Sequence, residues 1–229
     1  MTQMRQLGRF MQRDEISTAT VTDLIVPDRN IGYTKGHETR ETILRTALAI
    51  LIDEGWQAMS MRRIATACGL KLGNLTYHYR TREDLVRELL DAVIASYERE
   101  FVPIVQQDGL RPEQRLERYC RLVLDDIPSK KTTRLFPELW ALANHDPFVH
   151  DRMHELYARA RAPLDAIIAE MRPDLPAEHR ETLVLFISFA MEGSTVFAGY
   201  EKPFVARIGL IKRIAIGSFV DLVRSYTPD

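Results

Sequence analysis

Residues 60–79 constrain the fold more tightly than any other stretch of the chain. Two short segments with helical spacing meet at Gly69, and the second, residues 70–79, offers only Leu70, Leu75 and Tyr79 for burial. A segment of about two turns with so little apolar surface is not made for a core, because an isolated helix this short is marginal without packing. Its remaining side chains are polar or small: Lys71, Gly73, Asn74, Thr76, Tyr77 and His78. Two short helices joined through glycine, the second presenting such a face, have the pattern of a helix-turn-helix that reads DNA.

The flanking sequence supports a three-helix head. From Thr39, apolar residues Ile43, Leu44, Ala47, Leu48, Ile50 and Leu51 recur at helical spacing until Gly55 stops the helix. Ser60 is placed to cap the next helix, residues 61–68, with Ile64 and Ala65 turned inward. Thr81 and Asp84 form a capping-box-like start for a fourth helix running to about Glu100. Prolines and apolar periodicity then predict helices near 113–127, 134–145, 147–171, 177–198 and 204–226, with no convincing period-two stretch. The fold class is all-α: a helix-turn-helix head over 34–82 joined to a larger helical body over 83–229. Residues 1–33 lack a sustained period and are expected to be a poorly ordered arm.

Composition narrows the partners. A chain of 229 residues with 45% hydrophobic content can build a sizeable core. Its net charge of -1 conceals an asymmetry: residues 34–87 carry nine basic against six acidic side chains, while residues 88–229 carry 18 against 22. Phosphates are drawn to the head. Cys68 and Cys120 are too few for a disulfide framework, so a reducing, cytoplasmic location is expected, at the nucleoid when DNA is bound. No stretch reads as a signal peptide or as the roughly 18 apolar residues of a spanning helix, so no membrane partner is expected.

The series Thr39-Arg40-Glu41-Thr42-Ile43-Leu44, Gly55, Ser60-Met61-Arg62-Arg63-Ile64-Ala65, Gly69-Leu70, Gly73-Asn74-Leu75, Tyr77-His78-Tyr79 and Arg82-Glu83-Asp84-Leu85 resembles the tetracycline-repressor (TetR) family of bacterial transcriptional regulators. The resemblance is specific over residues 38–90 and architectural beyond them. It departs from the common pattern at Lys71 and Leu72, where many relatives carry serine and lysine or proline, and at Thr76, where many carry an aromatic.

The resemblance implies about nine helices and a short third helix that enters the major groove. Lys71, Leu72, Gly73, Asn74 and Thr76 would meet base edges or phosphate, and Tyr77 and His78 would donate to phosphate oxygens. Thr39, Ser60, Arg62 and Arg82 would clamp the backbone, with Arg63 beside them, although Arg62 and Arg63 also suit a solvated face. A homodimer on a palindromic operator follows, since one head spans too few base pairs. Its interface would use Phe186, Ala190 and Phe197 from one late helix and Ile211, Ile214 and Phe219 from the next, stripes that equally suit a core.

Phe136, Trp140, Phe148, Tyr157 and Phe189 are candidates to line a pocket for a small-molecule effector, with Glu138 and Glu192 as its polar groups for a cationic or hydroxylated ligand. His150 and His154 share a helix face near His145, Asp146 and Asp151, but two solvated histidines are the simpler reading, so neither a metal nor a cofactor is expected. The chain has no nucleophile elbow, phosphate-binding glycine loop or His-Glu-x-x-His, which argues against an enzyme. A helical protein-interaction adaptor without sequence-specific DNA binding is the alternative, and it leaves the face of residues 71–78 unexplained.

Overall fold

A computed structural model describes residues 24–26, 34–105 and 109–228. Among these it contains ten α-helices and no strand: α1 (Thr34–Glu54), α2 (Met61–Ala67), α3 (Leu72–His78), α4 (Arg82–Val105), α5 (Pro112–Asp126), α6 (Lys130–Ala143), α7 (Pro147–Met171), α8 (Ala177–Glu192), α9 (Ser194–Ala198) and α10 (Ile208–Ser225).

Helix α1 forms because Ile43, Leu44, Ala47, Leu48, Ile50 and Leu51 lie on faces it can bury, and all six are buried. Gly55 ends it with a φ of 85°, a conformation that favours glycine. The Ser60 hydroxyl accepts from the Arg63 amide at 3.2 Å and starts α2. At the Thr81 cap, the Asp84 amide donates to the Thr81 hydroxyl at 3.0 Å and the Thr81 amide donates to Asp84 at 3.2 Å. Helix α4 then carries the chain from head to body, tied to α1 by a buried ion pair between Arg40 and Glu88. In the body, α7 is the central helix, packed by α4, α5, α6 and α8, while α10 lies along α5.

Several boundaries differ from expectation. Helix α1 begins five residues before Thr39. Helix α4 continues past Glu100 through Pro103, which removes one ladder donor near the helix end. Helix α6 starts at Lys130 because the Ser129 hydroxyl accepts from the Thr132 amide at 3.1 Å. The expected helix over 177–198 is divided at Gly193, and the last begins as a 3-10 turn, Val205–Arg207.

The expected arm falls almost wholly outside the described residues. Within it, Leu24 and Val26 are buried in the same apolar cluster as the helices, so this short piece is packed rather than free. The stretch Ala177–Ala198, divided at Gly193, is long and apolar enough for a membrane span by length and composition only. Its inner side meets the body through Leu183, Val184, Ile187 and Met191, while Leu185, Phe186, Phe189, Val196 and Phe197 on its outer side are exposed. A helix apolar all round belongs between two surfaces.

Candidate functional site

Helix α3 is held by little and presents much. Leu75 is fully buried and Tyr79, at its C-terminal end, is 1% exposed, so these two fix its inner side. The turn before it is set by Gly69, with φ of 67°, and by the Leu70 amide, which donates to the Ala65 carbonyl at 2.8 Å. Lys71, Leu72, Gly73 and Asn74 are exposed, Thr76 and His78 half-exposed, and Tyr77 reaches 85% exposure. The Thr76 hydroxyl donates to the Gly73 carbonyl at 3.1 Å, and the Tyr77 and His78 rings meet edge to face. This face suits a groove: a cation, an amide, a glycine for close approach and a phenol.

The expected flanking clamps are placed differently from one another. Ser60 and Arg62 are exposed, and Thr39 is half-buried. Arg63 instead makes a paired contact with Glu54 at the end of α1, with nitrogen–oxygen distances of 3.2 and 2.6 Å. Arg82 is committed to Trp56: it donates to the Trp56 carbonyl at 2.9 Å and lies 4.2 Å from the centre of its ring. These contacts brace the head from within, and burial lowers the pKa of the guanidinium.

The body holds a cavity of about 60 Å³ between α4, α5, α6, α7, α8 and α9. Of the pocket residues expected from sequence, Phe136, Trp140, Tyr157 and Glu192 line it. The Trp140 indole donates to the Tyr157 hydroxyl at 2.8 Å, and that hydroxyl donates to Glu192. Burial pushes the Glu192 carboxyl up to about 7, against the opposing pull of Tyr157, Arg161 and Ser188.

Three expectations for the pocket are corrected. Glu138 lies on the other side of α6, where it accepts from the Trp56 amide at 3.3 Å, because residues two apart on a helix point about 200° apart. Phe148 packs under Arg87, and Phe189 is 63% exposed against Phe186. The sequence reading missed Tyr97, Phe101, Tyr119, Asp126 and Thr132, which also line the cavity. Tyr97 donates to Asp126 at 2.5 Å, and Thr132 donates to the same carboxylate oxygen. The aromatic pair Tyr97 and Phe101, one turn apart on α4, was the available signal.

Of the interface candidates, Phe186, Ala190, Phe197 and Ile214 are exposed and Ile211 half-exposed, whereas Phe219 is core. Leu185, Val196 and Leu210 join the exposed set. His150 and His154 meet at a tilt of 57° with ring centres 4.3 Å apart, but no group of three metal-ligating side chains occurs among the described residues.

Known proteins divide along the same lines. Residues 43–89 match the family described as bacterial regulatory proteins, tetR family, and residues 112–203 match a family described as the C-terminal part of BetI-type transcriptional repressors. An uncharacterised HTH-type transcriptional regulator of Xanthobacter autotrophicus is 24% identical over 172 residues, covering 72% of this chain and 81% of its own. Two solved structures share the fold. A TetR-family regulator from Rhodococcus has a TM-score of 0.65 at 18% identity, covering 82% of this chain and 100% of its own. A regulator from Saccharomonospora viridis in complex with choline has a TM-score of 0.64 at 17% identity, covering 82% of this chain and 97% of its own. With the head and most of the body each matched and the helical order shared, the chain belongs to the TetR family and is a DNA-binding transcriptional regulator.

Proposed function

We propose that the chain is a repressor that binds a palindromic operator as a homodimer and releases it when a small molecule fills the cavity of the body. The outward face of α3 carries the DNA half of this reading. Lys71, Asn74 and Tyr77 are exposed on a helix anchored by Leu75, which is the geometry of a groove reader. Residues 34–82 serve as the head and residues 83–229 as the sensing and dimerising body, working in the cytoplasm where the operator lies. The exposed apolar row of Leu185, Phe186, Phe189, Val196, Phe197, Leu210 and Ile214 suits a second copy, and its continuity over α8, α9 and α10 supports a four-helix seam.

Helix α6 links the two halves. Thr132, Phe136 and Trp140 follow at intervals of four and line the cavity. Lys130, Arg134 and Glu138, on the opposite stripe, reach the end of α1: Lys130 pairs with Asp53, Arg134 donates to the Ile52 carbonyl at 3.2 Å, and Glu138 accepts from Trp56. A ligand that moves the first stripe moves the second with it, and only about 1 to 3 kcal/mol of coupling is needed for a useful response. The choline complex of a protein with the same fold supports a small-ligand cavity in this one.

The test is selection of bound DNA from a random pool, with the wild type and with a Lys71→Ala/Tyr77→Ala variant. A palindromic motif recovered by the wild type and lost by the variant supports the reading. Equal recovery by both, with the same steep salt dependence, overturns it, since that outcome reports phosphate attraction without base readout.

A further inference from the structure

The cavity wall includes a residue with one polar atom that the protein itself does not satisfy. Asp126 is 5% exposed, and its Oδ2 accepts from both Tyr97 and Thr132 and lies 3.7 Å from the Lys131 ammonium. Its Oδ1 is buried with no hydrogen-bond partner among the described residues, and Asp126 belongs to the cavity wall. A buried carboxylate oxygen left unpaired carries a desolvation cost that a donor from a ligand would recover.

We propose that the cavity takes a small protonated amine whose N–H donates to Asp126 Oδ1, with Glu192 supplying the counter-charge. This deepens the reading of the cavity as the effector site and rests on it. Three features select this class. The orphan oxygen requires an N–H or O–H donor, which excludes a fully substituted ammonium from that contact. The charge of Asp126 is met by Lys131, 3.7 Å away, and the other acidic group on the wall is Glu192. The aromatic side chains of Phe136, Trp140 and Tyr157 in the lining favour a cation over a neutral hydroxyl. A volume of about 60 Å³ holds about four waters, the scale of an amine with four or five heavy atoms.

The experiment is calorimetric titration of the full chain with butylamine, butan-1-ol and tetramethylammonium, each of five heavy atoms, at pH 8. Butylamine is expected to bind at least tenfold more tightly than either of the others. Asp126→Asn, with its oxygen kept toward Tyr97 and Thr132, turns an amide N–H toward the cavity. It should weaken butylamine at least tenfold while butan-1-ol, which can accept from that amide, is retained. If Asp126→Asn fails to fold, Glu192→Gln provides the second variant and should lose the preference for the amine over the alcohol. Equal binding of all three probes, tighter binding of tetramethylammonium, or no binding of the amine overturns the assignment. Operator binding measured on the same preparations separates the two readings. Intact operator binding without amine binding removes the ligand class alone, whereas amine binding that leaves operator affinity unchanged supports the ligand class and removes the effector role.

Discussion

On the outer face of α3 the polar side chains stand in water, while in the cavity of the body they are turned against one another. Lys71, Asn74 and Tyr77 are exposed on a short helix held by Leu75. Tyr97, Asp126 and Thr132 are buried and hydrogen-bonded, and Trp140, Tyr157 and Glu192 form a second chain of donors and acceptors. The difference follows from the size of what each surface meets. DNA is large and arrives from outside, so its partners stay hydrated until they exchange water and counterions for phosphate. A small ligand must be enclosed to be held, so its partners are desolvated in advance, and burial shows in the raised pKa values of Tyr157, Tyr97 and Glu192.

The sharpest break of this contrast lies within α3 itself. Leu75→Ala deletes the fully buried anchor of the helix and should cost about 2 to 5 kcal/mol of stability, read as a lowered urea midpoint. Tyr77→Ala, two residues on and 85% exposed, should leave that midpoint within about 0.5 kcal/mol while weakening operator binding. If the two variants lose stability alike, α3 is packed on both sides and the outward face is not a reader.

The second break concerns the outer side of α8. Phe189→Asp places a charge in the exposed apolar row, 63% exposed in the single chain, and should weaken self-association by about 2 to 4 kcal/mol if that row is the seam. Sedimentation over a concentration series reads the change, with the monomer's far-UV circular dichroism unaltered. A dimer of unchanged strength would show that the second copy sits elsewhere.

The head was more legible in the sequence than the body, and the reason is physical. The reading of residues 60–79 needed only local spacing: a glycine at positive φ, a serine cap and one apolar anchor. The cavity is built from six helices, and which side chains face it is decided by packing between helices far apart in the chain more than by the pattern within any one of them. Glu138 and Glu192 look alike as carboxylates among apolar neighbours, yet α6 turns the first to Trp56 and α8 brings the second to Tyr157. Phe219 and Ile214 share one helix, and only the packing of α10 along α5 decides which is covered.

The third prediction tests the desolvated side of the contrast through pH. Glu192 keeps its proton to about pH 7 in the folded chain, against an ordinary value of 4.5. Within this window the folded state binds more protons than the unfolded, so the stability from the protonated group is full below about 4.5 and is lost as pH rises through 7. The shift corresponds to a ceiling of about 3 kcal/mol. Glu192→Gln, still able to accept from Tyr157 and facing Arg161 and Ser188 without charge, should flatten this slope and melt higher than the wild type at pH 8. A slope that survives the substitution would place the responsible group elsewhere.

The smallest effect is expected where the two kinds of surface are joined. Glu138 accepts from the Trp56 amide, and a side chain added at Gly55 would begin 3.6 Å from its carboxylate, so the end of α1 and the outer stripe of α6 fit closely. Arg82 holds the Trp56 carbonyl from the other side. Trp56 is thereby gripped by the body through its amide and by the head through its carbonyl. Glu138→Ala cuts the first grip and leaves α3, the cavity lining and the second grip in place. Operator affinity without ligand should change by less than about threefold, since no group on α3 is touched, while the ligand-induced loss of affinity should shrink by about 1 kcal/mol, within the usual range of coupling energies. Gel-shift titrations with and without a ligand shown to fill the cavity measure both quantities. An undiminished ligand response in Glu138→Ala would mean that the signal does not pass through the Glu138–Trp56 contact, and would leave Lys130, Arg134 and α4 as its routes to the head.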